Sequence, residues 1–412
     1  MNRIPLLSYL LLITLIALTA SPKTRAADYF PPPDSAGGWR ELKDAEQIRT
    51  LAGMDLQRLE QAAENCKRGT QHGGLLVVRH GYLVLEKYWG RAFRDANPDM
   101  ASTGKAFTSI ACGIMLHEKH EAIPDGLNTK VFIEKYLPEA FPLDDPRKAD
   151  ITLGQLLCMS AGYHGEGNSP GVVNGEVVPL TPVPGQDLKD LDKSSIRTVL
   201  WTKPGAGYSY SSPAPHIASI VLRHVTGMEL KDYIDEKLAK PMGWGPWNYC
   251  LFRGPITLPH ANGAGSTALH ATDALRFGYM LLHKGKWNDK QLVPAEYVEL
   301  CGKPSPHNPH APYSLQFEVN ADAHVELAPR DAYWKSGAGG FAIYVIPSLD
   351  MVIYKMGGTD GFYKQELTGI PQNFKYDGPR DNWKPYAGTP FVPGGGGGIS
   401  RVLELVSGAV VK

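Results

Sequence analysis

The chain carries no excess of charge: 42 Lys and Arg stand against 42 Asp and Glu, a formal net charge of +0 over 412 residues. That balance removes any electrostatic ground for expecting nucleic acid or an acidic surface as partner. Cysteine is scarce. Cys66, Cys112, Cys158, Cys250 and Cys301 are scattered without a C-x-x-C pair, so they form no disulfide framework, and the odd count leaves at least one free or paired between chains. Cys112 and Cys158 sit in apolar stretches and read as packed thiols. The HExxH spacing of zinc proteases is missing. His117 and His120 in "HEKH" lie three apart with no third ligand beside them and read as a solvated helix face. The "GGGGG" run at Gly394–Gly398 has no strand before it and no Lys-Ser/Thr after it, so it is no phosphate loop. No internal repeat is visible, and neither a metal nor another cofactor is implied.

What is present is a globular composition, 43% hydrophobic and 20% charged, in a chain long enough for one large two-part unit or two domains. Residues 1–26 have the order of a secretory signal: Arg3, an apolar run to Ala20, then small residues to Ala26. Its removal would discard Arg3, Lys23 and Arg25 and leave 39 basic against 42 acidic residues, a formal charge of −3. The expectation is a periplasmic or secreted body with no stable membrane insertion, an uncleaved anchor being the rival. Oligomeric state is left open.

Periodicity predicts a helix over Ile48–Cys66, a β-hairpin with strands Leu75–Arg79 and Tyr82–Tyr88, and a helix from Ser102 to His117. Helical patterns follow at Pro215–Val225, Leu230–Leu238 and Ala271–Leu282. A second hairpin is expected around Pro347–Asp350, a linker at Gly394–Gly398 and a closing helix over Ile399–Val411. Between Tyr163 and Lys203 lies a loop longer than a connection needs. Strands at both ends with helices between them predict an α+β fold, an antiparallel sheet flanked by helices plus a mainly helical insertion. The expected division is a body built from residues 27–112 and 261–412, with 113–260 inserted and a cleft between the two parts.

Three short elements could carry chemistry. In "MASTGKAFTSIACG", Lys105 follows Ser102 by three residues at a helix start, where the macrodipole disfavours a cation. No other serine in the chain has a lysine at that spacing. The arrangement suits a serine nucleophile with a desolvated amine as proton partner, and equally an N-cap serine. "PGAGYSYSS" offers Tyr210 as a proton shuttle, and "WKSGAGG" offers Lys335, Ser336 and Gly337 ahead of the second hairpin. Each is weak alone.

Taken in order, S-x-x-K, a tyrosine triplet and K-[ST]-G resemble the penicillin-recognising serine hydrolases. "ITLGQLLCMSAGYH", "PGAGYSYSSPAPHIASIVLRHVTG" and "GAGSTALHATDALRFGYMLL" resemble the intervening segments of the branch that holds class C β-lactamases, D-alanyl-D-alanine carboxypeptidases and esterases. The likeness covers about Leu51–Met356. It implies a β-lactamase/transpeptidase-like fold and a small-molecule or peptide substrate cleaved at an ester or amide bond through an acyl-serine. Ser102 would be the nucleophile, Lys105 its proton partner and Tyr210 the general base. Lys335 would hold positive potential over the site, with Ser212, Ser336, Gly337 and Ala338 binding substrate and the N–H groups of Ser102 and Ala338 forming the oxyanion hole. One departure stands out: the triplet is usually Tyr-x-Asn, and here Ser212 replaces the Asn that contacts a substrate's acylamino group, which argues against efficient β-lactam hydrolysis. A non-catalytic or slow-turnover penicillin-binding or sensor-type protein of the same fold is the alternative.

Overall fold

Seven runs rich in apolar and β-branched residues pair into one antiparallel sheet: β1 (Gly73–Arg79), β2 (Tyr82–Trp89), β3 (Tyr313–Ser314), β4 (Phe317–Val319), β5 (Tyr333–Gly337), β6 (Phe341–Ile346) and β7 (Met351–Met356). Their spatial order is β2-β1-β7-β6-β5-β4-β3, so the N-terminal hairpin docks on the C-terminal one through β1 and β7, with Val77 opposite Ile353. The computed structural model describes residues 29–185, 187, 189–250, 260–364, 369–370 and 398–411. The expected signal at 1–26 and most of the Gly394–Gly398 linker lie outside them.

Because side chains alternate across a strand, the sheet has two apolar faces, and helices cover both. Leu76, Val78, Ile343, Val345, Val352 and Tyr354 enter a large core with helices α3 (Lys105–Glu118), α4 (Pro213–Thr226) and α5 (Ala271–Leu282). Leu75, Val77, Ala342, Tyr344 and Ile353 face the opposite way, toward α1 (Ala45–Ala52), α2 (Leu56–Gly69) and α6 (Ile399–Ser407). With neither face wet, the central strands read as unbroken apolar runs rather than alternations. The α+β architecture agrees with expectation: the sheet is assembled from both ends of the chain.

Three local expectations need correction. Ile48–Cys66 is two helices, because Gly53 adopts a left-handed φ of 59° and closes α1, while Asp55 caps α2 by accepting from Arg58 N at 3.1 Å. The long loop after Tyr163 contains a hairpin, Gly171–Val173 with Glu176–Val178, turned by Asn174 and Gly175 at φ 49° and 84°. Val172 exchanges backbone hydrogen bonds of 2.7 and 2.9 Å with Tyr208, tying that loop to the Tyr210 run. The closing helix ends at Ser407, and the chain then returns so that Val411 N donates to Gly53 O at 2.8 Å. All five cysteines are free and buried, and burial pushes the thiols up, Cys66 and Cys158 to about 11 and Cys112 to about 12.

The Gly53 break is a testable joint. A Cβ there would sit 3.0 Å from Arg79 Nη1 with φ still positive, so Gly53→Ala should lower stability by about 1–2 kcal/mol in urea denaturation.

Candidate active site

Ser102 is positioned by a strapped turn. Residues Ala101–Gly104 form one turn of 3-10 helix, the α-helix proper starts at Lys105, and no side chain caps it. Ser102 is therefore not an N-cap serine. Ala101, at φ 49°, occupies a left-handed conformation that costs a non-glycine residue about 1 kcal/mol. Asp99 Oδ1 accepts its N–H at 2.8 Å, and its carbonyl accepts from Ser266 N at 2.9 Å. Close approach requires glycine on both sides of the turn. A Cβ on Gly265 would lie 2.4 Å from Ala101 O, and one on Gly337 would lie 2.4 Å from Met100 O and 2.8 Å from Thr103 N. The end of β5 is thus pressed against the Ser102 turn.

Side chains on a helix lean toward its N-terminus, so Lys105 reaches back over the turn. Its Nζ lies 2.8 Å from Ser102 Oγ, 2.9 Å from Ser212 Oγ and 2.7 Å from Ala264 O. Lys105 is 1% exposed and has no carboxylate partner among the described residues. Burial pulls its ammonium down to about 7; the Glu166 charge opposes the fall and Lys335 adds to it. As an ammonium it has an acceptor for each N–H. As an amine it keeps two N–H donors for Ser212 and Ala264 and turns its lone pair to the Ser102 hydroxyl.

Tyr210 and Lys335 form the next layer. Lys335 Nζ donates to Tyr210 Oη at 3.3 Å and to Tyr313 Oη at 3.0 Å, and lies 3.7 Å from Glu318 Oε1. Ser336 Oγ donates to the same Glu318 oxygen at 2.9 Å. Burial drives both Lys335 and Glu318 toward neutrality, and each one's charge resists. Tyr210, hydrogen-bonded with Ser102, is held well above the ordinary phenol range by burial first and then by the Glu166 charge. That direction favours the phenol form of Tyr210 at neutral pH.

A cleft of about 640 Å³ opens onto this cluster, lined by Ser102, Lys105, Ser212 and Ala338 among others. Those four expected site residues share one wall, with Tyr210 directly behind. Gly337 lies beneath the turn. Lys335 is fully buried, so it presents no free cation to a substrate carboxylate, and Ser336 is turned to Glu318. Four participants escaped the sequence reading: Ala264, which acts through its backbone, and Glu166, Tyr313 and Glu318. Glu166 Oε1 accepts from Ser212 N at 2.8 Å, and Glu166 N donates to Tyr210 O at 3.0 Å. The alternation in "YSLQFEV" could have marked a strand, but nothing in it pairs Glu318 with Lys335.

The Lys105 shift has a measurable sign. Between pH 7 and its ordinary value of 10.5 the unfolded chain binds the proton that the folded chain has lost. Wild-type stability should therefore rise with pH relative to Lys105→Met across that window, by at most about 1.4 kcal/mol per pH unit. Paired urea denaturations at pH 7, 8 and 9 check this; parallel pH curves would refute it.

The Beta-lactamase family model matches residues 56–362. Protein flp of Staphylococcus aureus (strain MW2) is 24% identical over 205 residues, a match that takes in 48% of this chain and 36% of that protein. The chain thus spans well under two thirds of that relative's length. Among solved structures, EstCE1, a hydrolase with promiscuous acyltransferase activity, aligns with a TM-score of 0.58 at 17% identity, covering 76% of this chain and 95% of its own. A family VIII carboxylesterase aligns with a TM-score of 0.54 at 20% identity, covering 77% and 94%. Both show the β-lactamase/transpeptidase-like fold, and with most of its length inside the family match the chain belongs to the Beta-lactamase family of serine hydrolases.

Proposed function

We propose that the protein is an exported hydrolase of small carboxylic esters and related amides, working through an acyl-Ser102 intermediate. The observation that carries this is the amine of Lys105, 2.8 Å from Ser102 Oγ and brought by burial to about 7. Near neutral pH a large fraction of it is free base, which is what removing the Ser102 proton requires. The attacking Oγ forms the bond to the substrate carbonyl carbon as its proton passes to Lys105. The resulting oxyanion is received by the N–H groups of Ser102 and Ala338. Tyr210 then gives its phenolic proton to the leaving oxygen or nitrogen as that bond breaks, and the Lys105 ammonium returns a proton to Tyr210. Deacylation runs the same transfers in reverse with water as the nucleophile.

Two features favour esters over β-lactams. Ser212 stands where the family usually has Asn, and its hydroxyl is engaged with Lys105. Lys335, the natural partner for a substrate carboxylate, is buried among Tyr210, Tyr313 and Glu318. Export rests on the leader at residues 1–26.

The test is a rate comparison of p-nitrophenyl butyrate, ethyl butyrate, nitrocefin and a D-Ala-D-Ala peptide. Ser102→Ala should abolish turnover and the acyl adduct seen by intact mass; full turnover, or a fluorophosphonate label on another serine, would sink the proposal. Lys105→Ala and Tyr210→Phe should each lose ~10²–10⁴ in rate. The Tyr210→Phe loss should be larger for ethyl than for p-nitrophenyl esters, since only the poorer leaving group needs the proton. kcat/KM should rise with pH through an inflection near 7 as Lys105 deprotonates. Nitrocefin turned over faster than the butyrate esters would overturn the ester preference.

A further inference from the structure

Behind Lys105 a buried histidine pairs with a partly exposed acid, and the chemistry above does not use them. His216, on α4, is 0% exposed, and its Nε2 lies 2.8 Å from Asp192 Oδ1 on the short helix Leu191–Ile196. Arg223 Nη2 holds the other Asp192 oxygen at 2.7 Å, with His260 at 3.9 Å and Glu229 beside Arg223 and His260. Burial works against the Asp192 charge, but the hydrogen bonds from His216 and Arg223 together with the Arg223 charge outweigh it and keep the carboxyl below the usual carboxylate range. Among the described residues no group of three His, Cys, Asp or Glu is placed to hold a metal.

Its other end points at the active site. Gly263 N donates to His216 Nδ1 at 3.2 Å, which requires the neutral tautomer with its proton on Nε2, facing Asp192. Thr108 Oγ1 holds the Gly263 carbonyl at 2.8 Å, and Asn262 Oδ1 accepts from Ala264 N at 2.9 Å. No side chain fits at Gly263, since a Cβ would lie 2.4 Å from Ser219 Oγ and 2.7 Å from Pro215 O. The next carbonyl in the chain, Ala264 O, is the 2.7 Å acceptor of Lys105.

We propose that Asp192 and His216 form a positioning pair that fixes the Ala264 carbonyl against Lys105 and thereby sets the orientation of the amine that deprotonates Ser102. Asp192 selects the histidine tautomer, the tautomer anchors the Gly263 peptide, and that peptide aims the Ala264 carbonyl at Nζ. A protonated His216 would turn a donor toward the Gly263 N–H and break the anchor, so the pair must stay in its acid–neutral form.

This rests on Lys105 as the proton acceptor of Ser102, and the experiment separates the two ideas. His216→Asn keeps an acceptor near Nδ1 for Gly263, whereas His216→Gln keeps a donor for Asp192 but leaves the Gly263 N–H unpaired. Both should fold, as thermal melts would show. In His216→Gln, kcat on p-nitrophenyl butyrate should fall about 10–100-fold with KM little changed, as expected for a misplaced catalytic group. His216→Asn should stay within about threefold of wild type, the rescue that a merely structural role would not give. The rising limb of kcat/KM should also move about one pH unit lower in His216→Gln, because Lys105 loses a hydrogen bond that favours its charged form. Glu166, Lys335 and Tyr210, which also face Lys105, are unaltered in both variants. Equal kcat and pH midpoint in the two variants would overturn the pairing. If Lys105→Ala itself retained full turnover, the assignment of Lys105 would fail instead.

Discussion

The site depends on keeping one ammonium out of water without giving it a carboxylate. Lys105 is enclosed by two serine hydroxyls and one carbonyl, all neutral. A carboxylate at the same distance would stabilise the charged form and destroy the base. Neutral acceptors satisfy the N–H groups while leaving the desolvation penalty in place, and that penalty favours the unprotonated amine near neutral pH. Glu166 tempers the effect from the cleft wall and Lys335 sharpens it from behind. The two lysines share Tyr210, with Nζ atoms 5.2 and 4.8 Å from its ring centre, but only Lys335 has a buried acid beside it. One lysine thus faces only neutral acceptors, while the other has a carboxylate 3.7 Å away whose charge opposes the effect of burial.

Holding that geometry falls to backbone rather than side chains. The Ser102 turn is caught between the end of β5 and the Asn262–Thr267 segment, and both approaches are closer than any Cβ allows. The strained Ala101 is tolerated because Asp99 and Ser266 fix both of its polar groups. Several buried polar atoms around the turn, among them Thr103 Oγ1, Ser211 Oγ, Thr267 Oγ1 and Glu318 Oε2, make no hydrogen bond within the described chain. Such groups cost stability.

The fold was legible where burial has a simple period. Ala271–Leu282 matches its expected span, and both hairpins pair as the alternating runs suggest. The misses have physical causes. Gly53 broke a helical period that its neighbours continue, because a single left-handed residue costs glycine little and redirects the chain. The Asn174-Gly175 hairpin carried a turn signal, hidden in a loop read for its length rather than its turn chemistry. At the site, spacing along the chain identified Ser102 and Lys105, which one helical turn brings together. Glu318 and Tyr313 were invisible because strand pairing, not sequence distance, puts them beside Lys335. The protonation preference of Tyr210 was equally out of reach, because local sequence says nothing about burial, which raises its pKa.

Ser212 shows how far one substitution can redirect a shared site. An Asn amide at this position would present both a donor and an acceptor on a longer side chain. A hydroxyl is shorter and stays close to its own backbone, whose N–H is taken by Glu166. The serine therefore turns to Lys105 and leaves space above it in the cleft. The Ser and Lys of the first element are both present and in contact, while the side chain at the usual Asn position is hydrogen-bonded to that lysine. Val183, Pro184 and the largely exposed Val199 add apolar surface to the cleft walls. A fold sets where such elements meet, whereas the side chain at a single position sets which polar groups are left facing the cleft.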